Sequence, residues 1–75
     1  MCMPQKLKTT LLSTHEDMAR ELKVYTRKHF KVMLRLYSIS VNDSISTIYF
    51  ESEPRGLTDE ELIILKLKFD AQQHA

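Results

Sequence analysis

Two helix-start signals, Ser13-Thr14-His15-Glu16 and Thr58-Asp59-Glu60-Glu61, bracket a run from Lys31 to Glu53 that is rich in β-branched and aromatic residues. In each signal a hydroxyl stands three residues before a glutamate. The hydroxyl accepts from the backbone N–H at the third helical position, and the glutamate reaches back to the cap residue's own N–H. The chain is thereby divided into helix, hairpin, helix.

Behind the first signal, Met18, Leu22, Tyr25, His29 and Val32 recur at steps of four and three, which predicts a helix from Thr14 with one apolar face. No Gly or Pro marks its end, so a helix running to Tyr37 competes with a break near Phe30. The break is preferred, because Val32, Leu34 and Leu36 alternate with Met33, Arg35 and Tyr37, and Ile39, Val41, Ile45, Thr47, Ile48, Tyr49 and Phe50 favour strands. The apolar positions are even up to Leu36 and odd from Ile39. An extra residue near Tyr37 or Ser38, as in a β-bulge, keeps them on one face. Asn42-Asp43 supplies the hairpin turn, since both tolerate left-handed backbone. Pro54-Arg55-Gly56 ends the second strand, and Leu57 and Leu62 stand where a hydrophobic staple flanks the Thr58 cap.

The last helix is expected from Thr58 to about Gln73. At 100° per residue, Leu62, Leu65 and Phe69 form one apolar stripe, and Ile63, Ile64, Leu67 and Ala71 form another. The first covers the hairpin. The second needs another partner, either the first helix or a neighbouring chain, and Ile63, Ile64, Leu67 and Ala71 are the candidate oligomer interface. A competing reading makes the alternating Leu65 to Phe69 an edge strand; the capping box favours helix. Near the start, Leu7, Thr9 and Leu11 alternate, which admits a short strand within residues 5–12, while residues 1–8 are read as a flexible N-terminal segment of a single domain covering 1–75. The fold class is α+β, order α-β-β-α with an optional extra N-terminal strand, both helices packed on one face of an antiparallel hairpin.

A 75-residue domain buries only about 60% of the surface its unfolded chain exposes, so its core is marginal. The single cysteine, Cys2, admits no internal disulfide, and Cys2, His15, His29 and His74 do not fall at structural-zinc spacing. Gly56 alone, with Pro4 and Pro54, excludes P-loops and dinucleotide fingerprints. No apolar run approaches the roughly 18 to 20 residues of a bilayer span, and no signal-peptide stretch is apparent. The expectation is a soluble, intracellular, cytoplasmic protein with no membrane partner.

Charge is balanced overall, at a formal +1, but not along the chain. From Arg20 to Arg35 six bases (Arg20, Lys23, Arg27, Lys28, Lys31, Arg35) face only Glu21; from Glu51 to Glu61 five acids face only Arg55. A helix aligns Arg20, Lys23, Arg27 and Lys31 on one face, a candidate contact for phosphates or an acidic partner. Such cations also complement the dipole at a helix C-terminus, as acids do at an N-terminus. The opposed segments further suggest that one protomer's basic helix faces another's acidic turn.

Catalysis finds little footing. His15, Glu16 and Asp17 are consecutive and splay apart on a helix; His29 lies on the apolar face; Cys2 has no adjacent base to lower its pKa. Ser38, Ser40, Ser44, Ser46 and Thr47 read as a hairpin's solvent face. Tyr37 and Tyr49 are candidate contacts if exposed. An enzyme would need a site shared across a dimer, built on His29 and the partner's carboxylates. The expected function is therefore a small non-enzymatic regulatory or adaptor module acting by protein-protein interaction, as a homodimer whose hairpins join edge to edge into a four-stranded sheet, with no metal and no cofactor. The alternative is a nucleic-acid-binding regulator, against which the formal charge of +1 weighs.

Overall fold

The computed structural model describes residues 10–74. The expectations for Cys2, for residues 1–8 and for a strand drawing on Leu7 and Thr9 lie outside them. The chain forms β1 (Leu11–His15), α1 (Glu16–Phe30), β2 (Met33–Asn42), β3 (Ile45–Glu53), α2 (Asp59–Phe69) and β4 (Gln72–His74). The α-β-β-α order holds, and a strand precedes the first helix, as the optional N-terminal strand allowed; a further strand after the second helix was not expected, so the sheet has four, in the order β2-β3-β1-β4, every neighbour antiparallel. This is the split β-α-β topology, βαββαβ.

β1 overturns the first helix signal. Ser13, Thr14 and His15 are strand residues, paired with Tyr49, Ile48 and Thr47 of β3. The residue before the helix is His15, whose side chain makes no capping bond. Leu12 and Thr14 lie opposite Phe50 and Ile48 and are buried beneath the helices. Thr14 spends its hydroxyl on the carbonyl of Phe69 (3.0 Å), tying β1 to the end of α2. The first-turn acids Glu16 and Asp17 complement the helix dipole instead.

α1 does break at Phe30. Lys31 takes a left-handed conformation (φ 59°) and its N–H bonds back to the carbonyl of Thr26. The helix buries Leu22 and Thr26 completely. His29 is exposed, stacked on the half-buried Tyr25 at 4.3 Å.

The expected bulge is present: the β2 to β3 register shifts between Leu36 and Ser38, leaving Tyr37 as the extra residue. Leu34, Leu36, Ile39 and Val41 lie opposite Ser52, Phe50, Ile48 and Ser46, and opposed residues share a face. All four therefore point to the helix side. The turn is one residue later than expected, at Asp43-Ser44 (φ 52° and 67°), because Asn42 pairs with Ile45. Two consecutive positive φ values suit the right-handed twist of a hairpin. Ser46 consequently falls on the helix side, while Ser38, Ser40, Tyr49 and Thr47 face away.

The second helix signal is realised in full. The Glu61 N–H donates to the Thr58 hydroxyl (3.2 Å), and the Thr58 N–H donates to the Glu61 carboxylate (2.9 Å). α2 ends at Phe69 rather than near Gln73, with Asp70 left-handed (φ 54°), and Gln72–His74 pairs with β1 as a short fourth strand. Leu65 and Phe69 reach the core, joined by Leu12, Leu22, Val32, Leu34, Ile48, Phe50, Leu57 and Ala71. Thr10 locks the sheet's lower end: its N–H donates to the Ser52 hydroxyl (3.1 Å), and its own hydroxyl accepts from the Leu57 N–H (2.9 Å).

Candidate interaction surface

The two edges of the sheet differ in kind. β4 is a three-residue edge, too short to template another strand. β2 is ten residues long, and among the described residues its outer edge has no neighbour in the sheet. Its side chains do not guard it with lysine or proline; its one charge, Arg35, pairs with Glu53 at 3.2 Å on the face away from the helices. Met33, Leu36, Tyr37, Ile39 and Val41 are each at least half exposed, Val41 to 69%. Met33 is exposed on the face away from the helices, opposite Glu53; the others stay exposed because the hairpin runs past the helices, with every residue from Arg35 to Ile45 open to solvent, in a molecule 51 × 22 × 17 Å.

Where β2 does run beside α1, the two leave a groove of about 430 Å³ between them. Lys23, Val24 and Arg27 of α1 and Met33 to Leu36 of β2 line it, with Val24 and Leu36 as exposed apolar side chains, the core residue Leu34 at its floor, and Lys23 and Arg27 on the helical rim. A strand edge beside a helix offers main-chain hydrogen bonds and side-chain pockets together, the two elements of strand addition.

The other sequence candidates separate. Arg20, Lys23, Arg27 and Lys28 are exposed on α1, and Lys31 is exposed just beyond it; among the described residues none of the five joins an ion pair. Arg35 does not belong with them, since it projects from the opposite face of the sheet and is held by Glu53. On α2, Ile63 (58%) and Leu67 (81%) are exposed and Ile64 is half-buried. Ala71 is a correction: it lies beyond the helix end and is buried in the chain's own core. The acids of α2's first turn are also partly committed, because the Glu61 carboxylate accepts from both terminal nitrogens of the Arg55 guanidinium (2.8 and 2.9 Å). Arg55 further donates to the Phe30 carbonyl at the end of α1 (3.1 Å) and to the Gly56 carbonyl (2.9 Å). Arg55 holds the Glu61 carboxyl down at about 2, and the pairing raises Arg55 in turn.

Among the described residues no three histidine, cysteine, aspartate or glutamate side chains converge to hold a metal, and no helix is long and apolar enough to cross a membrane. His15 is half exposed and lies 3.7 Å from Asp70, at the open end of β1. Tyr49 faces away from the helices and is partly buried; Tyr37 is exposed at the bulge.

The β2 edge was half legible in sequence: its alternation and bulge were readable, but its place at the sheet's margin depends on β1 inserting beside β3. Comparison with protein-family models, with curated proteins and with solved structures found no match. The topology alone carries no function.

Proposed function

We propose that the protein is a small non-enzymatic regulatory or adaptor module that acts by protein-protein contact through the outer edge of β2, and that it works as a homodimer. One observation supports this reading above the others: a ten-residue edge strand exposing five large hydrophobic side chains, with Arg35 as its one charge. A long edge that leaves large apolar side chains in solvent is an aggregation hazard, here blunted by the bulge at Tyr37 and by Arg35 alone, and a second strand laid on it would cover it. Because each chain already carries four strands, joining β2 edges makes a sheet of eight, not the four strands expected from a bare hairpin. The exposed Ile63 and Leu67 on α2 form a smaller, separate surface.

Sedimentation equilibrium tests the reading. The wild-type chain should sediment as a dimer, Ile39→Lys with Val41→Lys as a folded monomer, and Ile63→Lys with Leu67→Lys as the wild type. A dimer that survives the β2 pair and dissociates with the α2 pair would move the working surface to α2.

The second reading, a nucleic-acid-binding regulator, is favoured by the exposed cations of α1 and by Lys31 just beyond it, none of which joins an ion pair among the described residues. Its contacts would be Arg20, Lys23, Arg27, Lys28 and Lys31, with affinity falling steeply as salt rises. Fluorescence anisotropy with labelled duplex DNA, single-stranded DNA and RNA decides it. Salt-sensitive binding abolished by Arg27→Glu with Lys28→Glu would establish it, and no binding at low salt would remove it.

A further inference from the structure

We infer that the groove between α1 and β2 receives the hairpin arm of a second copy of this chain, with the two β2 strands paired antiparallel about a two-fold axis between Tyr37 and Ser38. This rests on the β2 reading above and names its occupant and register.

The register follows from the strand itself. A symmetric antiparallel pair places each residue opposite one at a fixed sum of sequence positions, and opposed residues share a face. An axis between Tyr37 and Ser38 opposes Met33 to Asn42, which are the two ends of β2, so the whole strand is paired. Within it Leu34 meets the second copy's Val41, and Leu36 meets its Ile39. All four are helix-side residues. Arg35 meets Ser40 on the other face. An undistorted strand would bring even positions against odd ones and so oppose residues of opposite faces. The shift at Tyr37 is what makes this pairing consistent.

The same bulge argues for a second copy over an unrelated strand. Against a regular strand Tyr37 is left over, as it is against β3. Against its own copy, Tyr37 meets Ser38 and no residue is left unpaired.

The pairing also fills the groove. Val24 and Leu36 are its exposed apolar side chains; Ile39 of the second copy arrives opposite Leu36, and Val41 opposite Leu34, which is buried at the groove's floor. The arm's exposed side chains are thus covered by the other copy's groove, twice over. The arriving segment, Ser38 to Asn42, carries no charge, so it brings no like charge against Lys23 and Arg27 on the rim. One step further, the turn's Asp43 comes to the end of β2 where Lys31 stands exposed, an opposite-charge contact.

Cysteine cross-linking tests register and occupant together, in full-length chain with Cys2→Ser. Leu36→Cys and Ile39→Cys chains are refolded separately and as a mixture, then oxidised. Both positions are more than half exposed, so the fold should survive, with circular dichroism as the check. The inference predicts a disulfide-linked dimer in the mixture and little in either chain alone, since like positions are offset by about 10 Å along the strands. A chain that remains monomeric at every concentration overturns it. A dimer that the β2 lysine pair abolishes but the mixture fails to cross-link overturns the register and leaves the β2 reading standing. A dimer indifferent to both refutes the two together.

Discussion

Replacing Glu61 with glutamine removes one charge from the place where both helices and the β3 to α2 connection meet. Glutamine keeps the size of the side chain and an oxygen to accept from the Thr58 N–H, so the cap survives while the charge-assisted pair with Arg55 does not. The carboxyl's pKa, lowered from 4.5 to about 2, is set first by the Arg55 hydrogen bonds and then helped by the Thr58 N–H. At about 1.36 kcal/mol per pH unit, that lowering corresponds to a ceiling of about 3 kcal/mol. The Arg55 side chain is a third exposed, so solvent screening reduces the expected loss in Glu61→Gln at pH 7 to about 1–2 kcal/mol. The sign follows from the depressed folded pKa. The stabilisation is present above the unfolded value, erodes as pH falls below 4.5, and is mostly gone near pH 2. Urea unfolding of both proteins between pH 7 and pH 2 measures this, the other carboxylates being common to both. The gap should close with acid. A gap as wide at pH 2 as at pH 7, or none at pH 7, would refute the assignment of this stability to the Arg55 to Glu61 charge pair.

Other perturbations probe the rest of the fold. Leu65→Ala empties a fully buried position and should cost about 2–5 kcal/mol, comparable with the whole stability of so small a domain, whereas Leu67→Ala on the exposed side should change stability by under about 0.5 kcal/mol; thermal unfolding separates them. Thr14→Val strips the donor from the buried Phe69 carbonyl and should cost about 1–3 kcal/mol in urea unfolding. Lys31→Gly relieves a left-handed non-glycine residue at the end of α1 and should raise stability by about 0.5–1 kcal/mol; a loss would mean that Lys31 makes a contact worth more than the backbone strain.

The elements read correctly from sequence are those whose signals are local. The Thr58 to Glu61 box, the break near Phe30, and the bulge between Leu36 and Ser38 each depend on a few neighbouring residues, and each is present. The failures are where tertiary pairing chose between two local readings. Ser13-Thr14-His15-Glu16 satisfies the capping pattern, but Leu12 and Thr14 also alternate in phase with Phe50 and Ile48, and insertion beside β3 decided in favour of strand. β4 left no signal, since Gln72, Gln73 and His74 carry no apolar alternation and are ordered by backbone pairing to β1. The candidate surfaces divide the same way. Ile63 and Leu67 were placed outward by helical periodicity alone, Ala71 was misplaced because the helix stops at Phe69, and Arg35 parted from the α1 cations because it lies on a strand facing the other way.

Backbone amide hydrogen exchange along Met33–Asn42 tests most directly whether the β2 edge is a covered working surface. In an antiparallel pair, alternate residues of a strand bond to one neighbour and the intervening ones point outward. If the edge is covered by a second strand, both sets are slow to exchange at high protein concentration, and the outward set alone becomes fast on dilution. Outward amides that exchange freely at every concentration, beside slow inward ones, would mean that the edge stands open and would contradict the account.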